Sequence, residues 1–262
     1  MKTLITGANK GIGFALAQTL GRRGYDILLG ARSETRGQAA VEKLQAEGIN
    51  AQFVKVDLND LAQLSSLAQL RDIDLLINNA GIAGNIKSDA GDFDMEKSPF
   101  AYTTADLQET MNTNFLGTHA VISQLLPHSL TENAVIVNIT VPVSQEYWAP
   151  LAYVTSKAAQ NAMMFAFGHQ FSKEKSAKQI FGVMPGAVAT DLNGAKVGDN
   201  PVIKSPEETA ELISHFIFDN KNHNAEIINF DGTIYKSYEP GLRSKIIKDV
   251  AKNGLKRKLG RK

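Results

Sequence analysis

Cysteine is absent from the 262 residues, and this removes disulfides, thiolate zinc sites, iron–sulfur clusters and a cysteine nucleophile from consideration. The five histidines show no HExxH pairing, so we expect no metal site. No run approaches the roughly 18 apolar residues that a membrane-spanning helix needs. The apolar stretch after Met1 is broken by Thr6-Gly7, which makes it too short for a signal sequence. We therefore expect a cytoplasmic protein without a membrane span.

The net charge is also small, at +1 at pH 7, but the charged residues are unevenly distributed along the chain. The segment Arg243 to Lys262 holds nine Lys or Arg and one Asp, so that the remainder carries −7. Apolar residues recur in this basic tail at roughly helical spacing, but Gly254 and Gly260 weaken a helix and no aromatic residue could stack on bases. We expect a solvated tail. Contact with the acidic body or a partner subunit, and contact with nucleic acid or lipid, are the alternatives.

Short apolar runs alternate along the chain with stretches of helical period. Most runs are continuously apolar, as expected for strands covered by helices on both faces. The predicted strands are 3–6, 26–29, 52–56, 74–77, 134–139, 179–184 and 226–230, and the predicted helices are 12–23, 34–47, 61–70, 105–126, 151–173 and 206–219. The alternation implies right-handed crossovers. We predict an α/β fold, a single Rossmann-type doubly wound parallel sheet of about seven strands with helices on both faces.

Two long segments, 83–102 and 186–205, match neither period. Irregular segments of this length in a compact domain are usually functional or mobile. Both follow carboxyl ends of predicted strands, where open α/β sheets bind ligands. Five large apolar side chains in or near loops could wall an apolar pocket, or simply pack: Phe93, Met95, Tyr147, Trp148 and Leu192.

The turn after the first strand is rich in glycine and reads Gly7-Ala8-Asn9-Lys10-Gly11-Ile12-Gly13. Glycines let backbone N–H groups approach a pyrophosphate, and the N-terminus of the next helix favours negative charge. The spacing GxxxGxG differs from the common dinucleotide fingerprint, and an ordinary tight turn is the alternative. The position of the turn between a strand and a helix favours dinucleotide binding.

The second strand is followed by Arg32, where a carboxylate would instead accept from a ribose 2′-OH. A guanidinium can bind a 2′-phosphate with two parallel hydrogen bonds, and Lys10 adds a second cation. This pair favours NADPH over NADH, although Arg32 could also be a solvated loop residue.

Polar residues also end the third and fourth strands. Asp57, followed by Leu58, could accept from an adenine amine or cap the next helix. In Asn78-Asn79-Ala80-Gly81 the amides could hold neighbouring backbone, and the glycine would let a ligand pass closely. A plain polar turn is the alternative for this second motif.

Tyr153 and Lys157 lie four residues apart in a helical stretch and therefore share a face. A buried cation beside a phenol lowers the phenol pKa from about 10, so that the phenol can exchange a proton with a carbonyl oxygen. A surface contact between the two side chains is the alternative.

Two further residues complete this candidate site. Thr140 lies thirteen residues before Tyr153 and could polarise a carbonyl, with Ser144 as a rival and a plain strand residue as the alternative. Asn114 is a poor helix former inside a predicted helix. It could kink that helix and hold a water that reaches Lys157, or be a satisfied core asparagine.

In chain order, the motifs TGANKGIG, NNAG, NTNFLGT, YVTSK and PGAVAT resemble those of the short-chain dehydrogenase/reductase family over residues 3–232. Within it, the set looks like NADPH-dependent carbonyl reductases. The resemblance implies NADPH/NADP+ as the cofactor and a catalytic set of Asn114, a serine-like residue that we assign to Thr140, Tyr153 and Lys157. The expected cofactor contacts are Gly7, Asn9, Lys10, Gly11, Ile12, Gly13, Arg32, Asp57, Leu58, Asn79, Ala80, Gly81, Tyr153, Lys157, Pro185, Gly186, Val188 and Thr190.

Three features depart from the family pattern. Thr140-Val141 stand where the family usually has two serines, and if Val141 holds the catalytic position only Ser144 remains nearby. The stretch before Tyr153 lacks the insertion of the monomeric carbonyl reductases, which implies a homodimer or homotetramer. The tail, residues 242–262, lies beyond residues 1–241, which we predict to be a single dinucleotide-binding and catalytic domain.

The predicted function is NADPH-dependent reduction of a ketone or aldehyde to an alcohol, with Tyr153 as the proton donor to a small-molecule carbonyl substrate. Thr140-Val141 motivate an alternative, a catalytically weak or inactive NADP(H)-binding sensor.

Overall fold

The computed structural model describes residues 1–87, 93–141, 143 and 150–235. Within them lie seven strands: β1 (Lys2–Thr6), β2 (Asp26–Ala31), β3 (Ala51–Lys55), β4 (Ile73–Asn78), β5 (Leu130–Ile139), β6 (Gln179–Met184) and β7 (Ile227–Asn229). They form one sheet in the order β3-β2-β1-β4-β5-β6-β7, and every neighbouring pair is parallel. The prediction of a seven-stranded doubly wound parallel sheet is confirmed.

The helices are α1 (Gly11–Arg22), α2 (Glu34–Ala46), α3 (Leu61–Leu64), α4 (Thr104–Met111), α5 (Thr118–Leu125), α6 (Leu151–Glu174) and α7 (Pro206–Ile217). Short 3₁₀ turns cover Ser65–Gln69 and Pro99–Ala101, and a π-helical turn covers Asn112–Gly117 between α4 and α5. The predicted helix 61–70 is therefore wrong in its second half. There the Ser65 and Ser66 hydroxyls donate to the carbonyls of Ala62 and Gln63, and such local bonds compete with regular helix.

Both faces of the sheet are buried, because neighbouring residues of one strand point to opposite faces. Ile5 belongs to one apolar cluster together with residues of α1, α2 and α7. Leu4 belongs to a second cluster with residues of α5 and α6. The continuously apolar strands thus reflect two helix layers, as the sequence predicted.

The winding of the sheet reverses between β1 and β4, which lie side by side although β2 and β3 separate them in the chain. The carboxyl ends of these two strands, Thr6 and Asn78, open a crevice at this switch point, where doubly wound sheets bind their ligands. Among the described residues, no helix is long and apolar enough to cross a bilayer. Ser144, Tyr147, Trp148 and the basic tail lie outside the described residues.

Candidate active site

The glycine-rich turn after β1 has a backbone that only glycine adopts readily. Gly7 and Gly11 have φ angles of 67° and 56°, in the left-handed region. A Cβ atom on Gly13 would lie 2.5 Å from Asn79 Nδ2 and 2.7 Å from the Gly7 carbonyl oxygen. A Cβ atom on Gly7 would lie 2.9 Å from Ala80 Cα. The turn therefore packs directly against the end of β4, and Gly7 and Gly13 make that approach possible.

Hydrogen bonds tie the same turn to the Asn79-Ala80 segment. Asn79 Nδ2 donates to the Thr6 and Gly7 carbonyl oxygens at 3.0 and 3.3 Å. Thr6 Oγ1 accepts from the backbone N–H groups of Asn79 and Ala80 at 3.1 and 3.0 Å. The prediction that this asparagine holds neighbouring backbone is confirmed, and these bonds join the glycine turn to the segment after β4.

A cavity of ≈ 250 Å³ lies beside the glycine turn and is lined by Asn9, Lys10, Arg36, Ala39, Ala40 and Lys43. Three of its six lining residues are cations, which suits a phosphate. Arg36 and Lys43 were missed in the sequence, although residues 36, 39, 40 and 43 recur at the spacing of one helix face. Arg32 is exposed, and its carbonyl oxygen accepts from Lys55 Nζ at 2.6 Å.

Lys10 also reaches across the crevice to the loop after β6. Its Nζ lies 2.6 Å from Asp191 Oδ2, in a pair whose side chains are 58% and 76% exposed. The Lys10 hydrogen bond and charge hold the pKa of Asp191 below its usual range. Because the pair is exposed, it contributes little to stability, and a competing anion can separate it.

Asp57 and Leu58 lie at the carboxyl end of β3. Asp57 Oδ1 accepts from the backbone N–H of Asn59 at 3.1 Å, whereas the residue that caps α3 is Asp60. The alternative in which Asp57 caps the next helix is therefore wrong. Leu58 is buried beneath the π-helical turn.

The segment after β6 runs alongside the glycine turn. Lys204 pins it, because its Nζ donates to the Pro185 carbonyl oxygen at 3.3 Å and its backbone N–H to that of Ala187 at 3.0 Å. Val188 pairs with Lys204 in an isolated parallel bridge. Thr190 Cγ2 lies 3.7 Å from the position of a Cβ on Gly11, so the predicted nicotinamide segment and glycine turn face one another.

Lys157 is the most buried cation near Tyr153. Its side chain lies in α6, the residue is 3% exposed, and Nζ donates to the Ile139 carbonyl oxygen at 2.7 Å and to Gln160 Oε1 at 3.1 Å. Nζ also lies 5.8 Å from the centre of the half-buried Tyr153 ring. Burial lowers the pKa of Lys157 to about 8. The predicted pair thus combines a half-buried tyrosine with a desolvated ammonium.

Asn114 lies in the π-helical turn and is fully buried. Its Oδ1 accepts from the Ile82 N–H, and its Nδ2 donates to the Ile82 carbonyl oxygen and to Ser156 Oγ, at 2.8, 2.8 and 2.9 Å. A Cβ on Gly81 would lie 3.1 Å from Asn114 Oδ1 and 3.8 Å from Lys157 Nζ. Asn114, Gly81 and Lys157 therefore meet at one point.

Thr140 follows β5 and is 1% exposed. Its hydroxyl donates to Asn161 Oδ1 at 2.6 Å, and Asn161 Nδ2 donates in turn to the Val141 carbonyl oxygen at 3.3 Å. The hydroxyl is thus directed at α6. That Thr140 polarises a substrate carbonyl stays a prediction, and the rival Ser144 lies outside the described residues.

The two long segments touch each other through Phe93 and Gly194. A Cβ on Gly194 would lie 2.3 Å from the Phe93 ring, so the ring packs against the loop that follows β6. Phe93, Met95 and Leu192 are 44%, 40% and 36% exposed. Their exposure leaves apolar surface available to a substrate. Among the described residues, no three His, Asp or Glu side chains group so as to hold a metal ion.

Comparison with known proteins gives a consistent set of similarities. The family model of the short chain dehydrogenases matches residues 2–200. Carbonyl reductase (NADPH) 1 of Mus musculus is 31% identical over an alignment of 261 residues, which covers 79% of this chain and 87% of that protein. Carbonyl reductase (NADPH) 1 of Homo sapiens gives the same identity and coverage.

Solved structures are similar over most of their length. Salutaridine reductase from Papaver somniferum has a TM-score of 0.68 and 26% identity, with 86% of this chain and 98% of that chain covered. NADPH-bound carbonyl reductase from chicken fatty liver has a TM-score of 0.73 and 21% identity, with coverages of 89% and 98%. At that identity the second likeness shows the fold alone.

Proposed function

The chain belongs to the short-chain dehydrogenase family, and on that premise we propose that it is an NADPH-dependent reductase of ketones or aldehydes. Carbonyl reductase (NADPH) 1 of Mus musculus, 31% identical, supports both the reaction and the cofactor. The single observation that carries the proposal is the Lys157 ammonium, 3% exposed and 5.8 Å from the Tyr153 ring. A desolvated cation at that distance favours a phenol that exchanges protons readily.

The residues along the crevice suit a dinucleotide with a 2′-phosphate. Gly7, Gly11 and Gly13 keep the floor free of side chains, since a Cβ on Gly13 would reach the Asn79 amide at 2.5 Å. The cavity beside them, lined by Lys10, Arg36 and Lys43, offers cations and no carboxylate. We assign Arg36 and Lys43, together with Lys10 and Arg32, to the 2′-phosphate.

The remaining predicted contacts follow the same crevice. We assign Asp57 and Leu58 to the adenine end. We assign Val188 and Thr190, with Pro185-Gly186 before them, to the nicotinamide end. When bound, NADPH supplies the hydride.

The chain's own residues manage the proton. The Tyr153 phenol donates it to the substrate oxygen, and the Lys157 ammonium stabilises the resulting phenolate by its charge. Asn114 fixes the backbone of Ile82 against α6 through its bond to Ser156 Oγ and so holds the wall beside Lys157. Thr140 is proposed to orient the carbonyl, which requires its hydroxyl to turn from Asn161.

Replacement of Tyr153 by Phe tests this assignment. We expect kcat to fall about 100-fold or more, because general acid catalysis typically contributes that much, while the Kd for NADPH changes by less than about twofold. The measurements are NADPH oxidation over a panel of carbonyls and a fluorescence titration of NADPH. Tyr25→Phe is the matched control, because Tyr25 precedes the amino end of β2 and the candidate site lies at the carboxyl ends of the strands.

The same two measurements separate the reductase from the sensor. Tight NADPH binding by the unmodified chain, without turnover of any carbonyl or of any alcohol in reverse, would reject the reductase and favour the sensor. Equal losses of binding and turnover in Tyr153→Phe would indicate misfolding instead. The homodimer or homotetramer and the cytoplasmic location stay predictions.

A further inference from the structure

Gln160 is a fully buried amide inside α6 that none of the sequence motifs includes. It follows Lys157 by three residues and therefore lies on the same helix face. Its side chain reaches the π-helical turn that contains Asn114. We propose that Gln160 is a positioning residue that holds the Lys157 ammonium at the active site and ties it to the backbone of Asn114. The proposal rests on the proposed reductase function.

Three contacts carry the proposal. Gln160 Oε1 accepts from Lys157 Nζ at 3.1 Å. Gln160 Nε2 donates to the Asn114 carbonyl oxygen at 3.2 Å and to Thr118 Oγ1 at 3.3 Å. One amide thus spans the distance between the lysine and the π-helical turn by direct bonds, where the sequence suggested a water.

The chemistry of the neighbours fixes the orientation of this amide. An ammonium can only donate hydrogen bonds, and a backbone carbonyl can only accept them. The reversed amide would set N–H groups against Lys157 and an oxygen against the Asn114 carbonyl oxygen. The Thr118 hydroxyl satisfies the same pattern, because it donates to the Asn114 carbonyl oxygen at 2.9 Å and can accept from Gln160.

The arrangement has a consequence for the charge of Lys157. A buried ammonium loses its hydration, and acceptors that contact it favour the charged form. Its two acceptors among the described residues are the Ile139 carbonyl oxygen at 2.7 Å and Gln160 Oε1 at 3.1 Å. Gln160 is the one that a side-chain substitution can remove. We therefore expect Gln160 to extend to higher pH the range over which Lys157 stays charged beside Tyr153.

Two variants of nearly equal size distinguish the loss of the whole amide from the loss of its donor alone. Gln160→Met fills the space and removes both functions of the amide. Gln160→Glu keeps an acceptor toward Lys157, adds negative charge and removes the donor toward Asn114. We expect the pKa of Lys157 to fall by about one pH unit in Gln160→Met and to rise above its wild-type value in Gln160→Glu. Gln170→Met, an exposed position of the same helix, is the matched control.

The pKa of Lys157 is measured without reference to activity, from the ¹⁵N shift of its Nζ in protein labelled at lysine. Loss of one resonance in Lys157→Met assigns the signal. If wild-type turnover is present, the alkaline limb of kcat should move in the same two directions. The kcat of Gln160→Met should fall about tenfold near pH 9 but only about twofold near pH 7, because a one-unit lower pKa changes the charged fraction of Lys157 by these factors. The Kd for NADPH should be nearly unchanged.

The outcomes are distinguishable. Shifts of opposite sign in the two variants support the positioning role, even in a chain that reduces no carbonyl, in which case only the proposed function fails. Shifts of the same sign, or none, overturn the role of Gln160 and leave the reductase standing. Equal losses of thermal stability in the two variants, with an unmoved Lys157 resonance, would reduce Gln160 to a packing residue.

Discussion

At the scale of one residue, Lys157 shows that a group placed for function can lower the free energy of unfolding. A charged side chain is rarely so deeply buried, because the interior stabilises it less than water does. The two acceptors that it contacts offset only part of that cost, since the pKa of Lys157 still falls to about 8. Such perturbed groups concentrate at active sites, where the chemistry requires them.

The lowered pKa of Lys157 predicts that the stability of the folded chain depends on pH. In the folded chain Lys157 releases its proton near pH 8, but in the unfolded chain it keeps the proton to about pH 10.4. Between these values the unfolded state binds more protons, so the free energy of unfolding should rise with pH. Relative to Lys157→Met, we expect the wild type to gain about 2.5 kcal/mol from pH 8 to pH 10.5 in urea titrations.

The same experiment contains its control. Lys173→Met removes a lysine from the exposed part of α6 and so accounts for the loss of one positive charge. Parallel curves for the wild type and Lys157→Met over this range would mean that Lys157 is not desolvated in solution. The low pKa would then no longer support its role beside Tyr153.

Single residues also show which parts of the candidate site could not be predicted from the sequence. The sequence could single out the glycines of the first turn, Asn79, Tyr153 and Lys157 as candidates, because their signals are local spacings. Gln160 and Arg36 were missed, since each gains its meaning from partners on other elements. The Thr140 hydroxyl could be placed near the site by spacing, but its bond to Asn161 depends on how α6 packs against β5.

At the scale of elements, the stretch from α4 to α5 shows the same limit. The sequence predicted one helix over 105–126, and a kink at Asn114 was anticipated from its poor helix propensity. The observed interruption is the π-helical turn Asn112–Gly117, a form that often marks functional sites. Thr113 Oγ1 donates to Asn59 Oδ1 at 2.8 Å and ties this turn to the connection between β3 and α3. Such a contact is invisible to helical periodicity.

Gly117 makes the close packing of this turn possible, and its replacement gives an element-scale prediction. A Cβ there would lie 2.4 Å from the Leu58 carbonyl oxygen and 2.9 Å from Leu58 Cα, and backbone cannot move aside cheaply. We expect Gly117→Ala to lower the free energy of unfolding by about 3 kcal/mol, as overpacked cores do. Chemical denaturation measures the change.

The exposed Asn112 in the same turn provides the comparison. Asn112→Ala should change stability by less than about 0.5 kcal/mol, as for surface positions in general. A wild-type stability for Gly117→Ala would show that the turn and the Leu58 segment are farther apart in solution. The Asn114 turn would then not pack against Leu58, the residue assigned to the adenine end of the crevice.

At the scale of the whole molecule, the parallel sheet was predictable because strands covered by helices on both faces are continuously apolar in the sequence. Most strands contain a continuous apolar run, and most of the stretches between them carry a 3.6-residue period. The meeting of the segments 83–102 and 186–205 was not predictable, because nothing local encodes the contact of Phe93 with Gly194. The pairing of Lys10 with Asp191 is of the same kind.

The uneven charge provides the last prediction, which concerns the boundary at residue 241. A chain that ends there changes from a net charge of +1 to −7. Both apolar clusters and every described residue of the proposed site belong to residues 1–235. We therefore expect the shortened chain to keep its turnover and its free energy of unfolding, and to elute from a cation-exchange resin at lower salt.

A full-length variant separates charge from length. Replacing Lys256, Arg257 and Lys258 by Gln should reproduce part of the change in elution. Binding to the resin depends on the number of positive charges, which salt screens, and does not require a folded surface. Light scattering reports the oligomeric state of both proteins. A smaller assembly for the shortened chain but not for the Gln variant would contradict the solvated tail and indicate packing against a partner subunit. Loss in both would make the contact electrostatic, with the acidic body as the complementary surface.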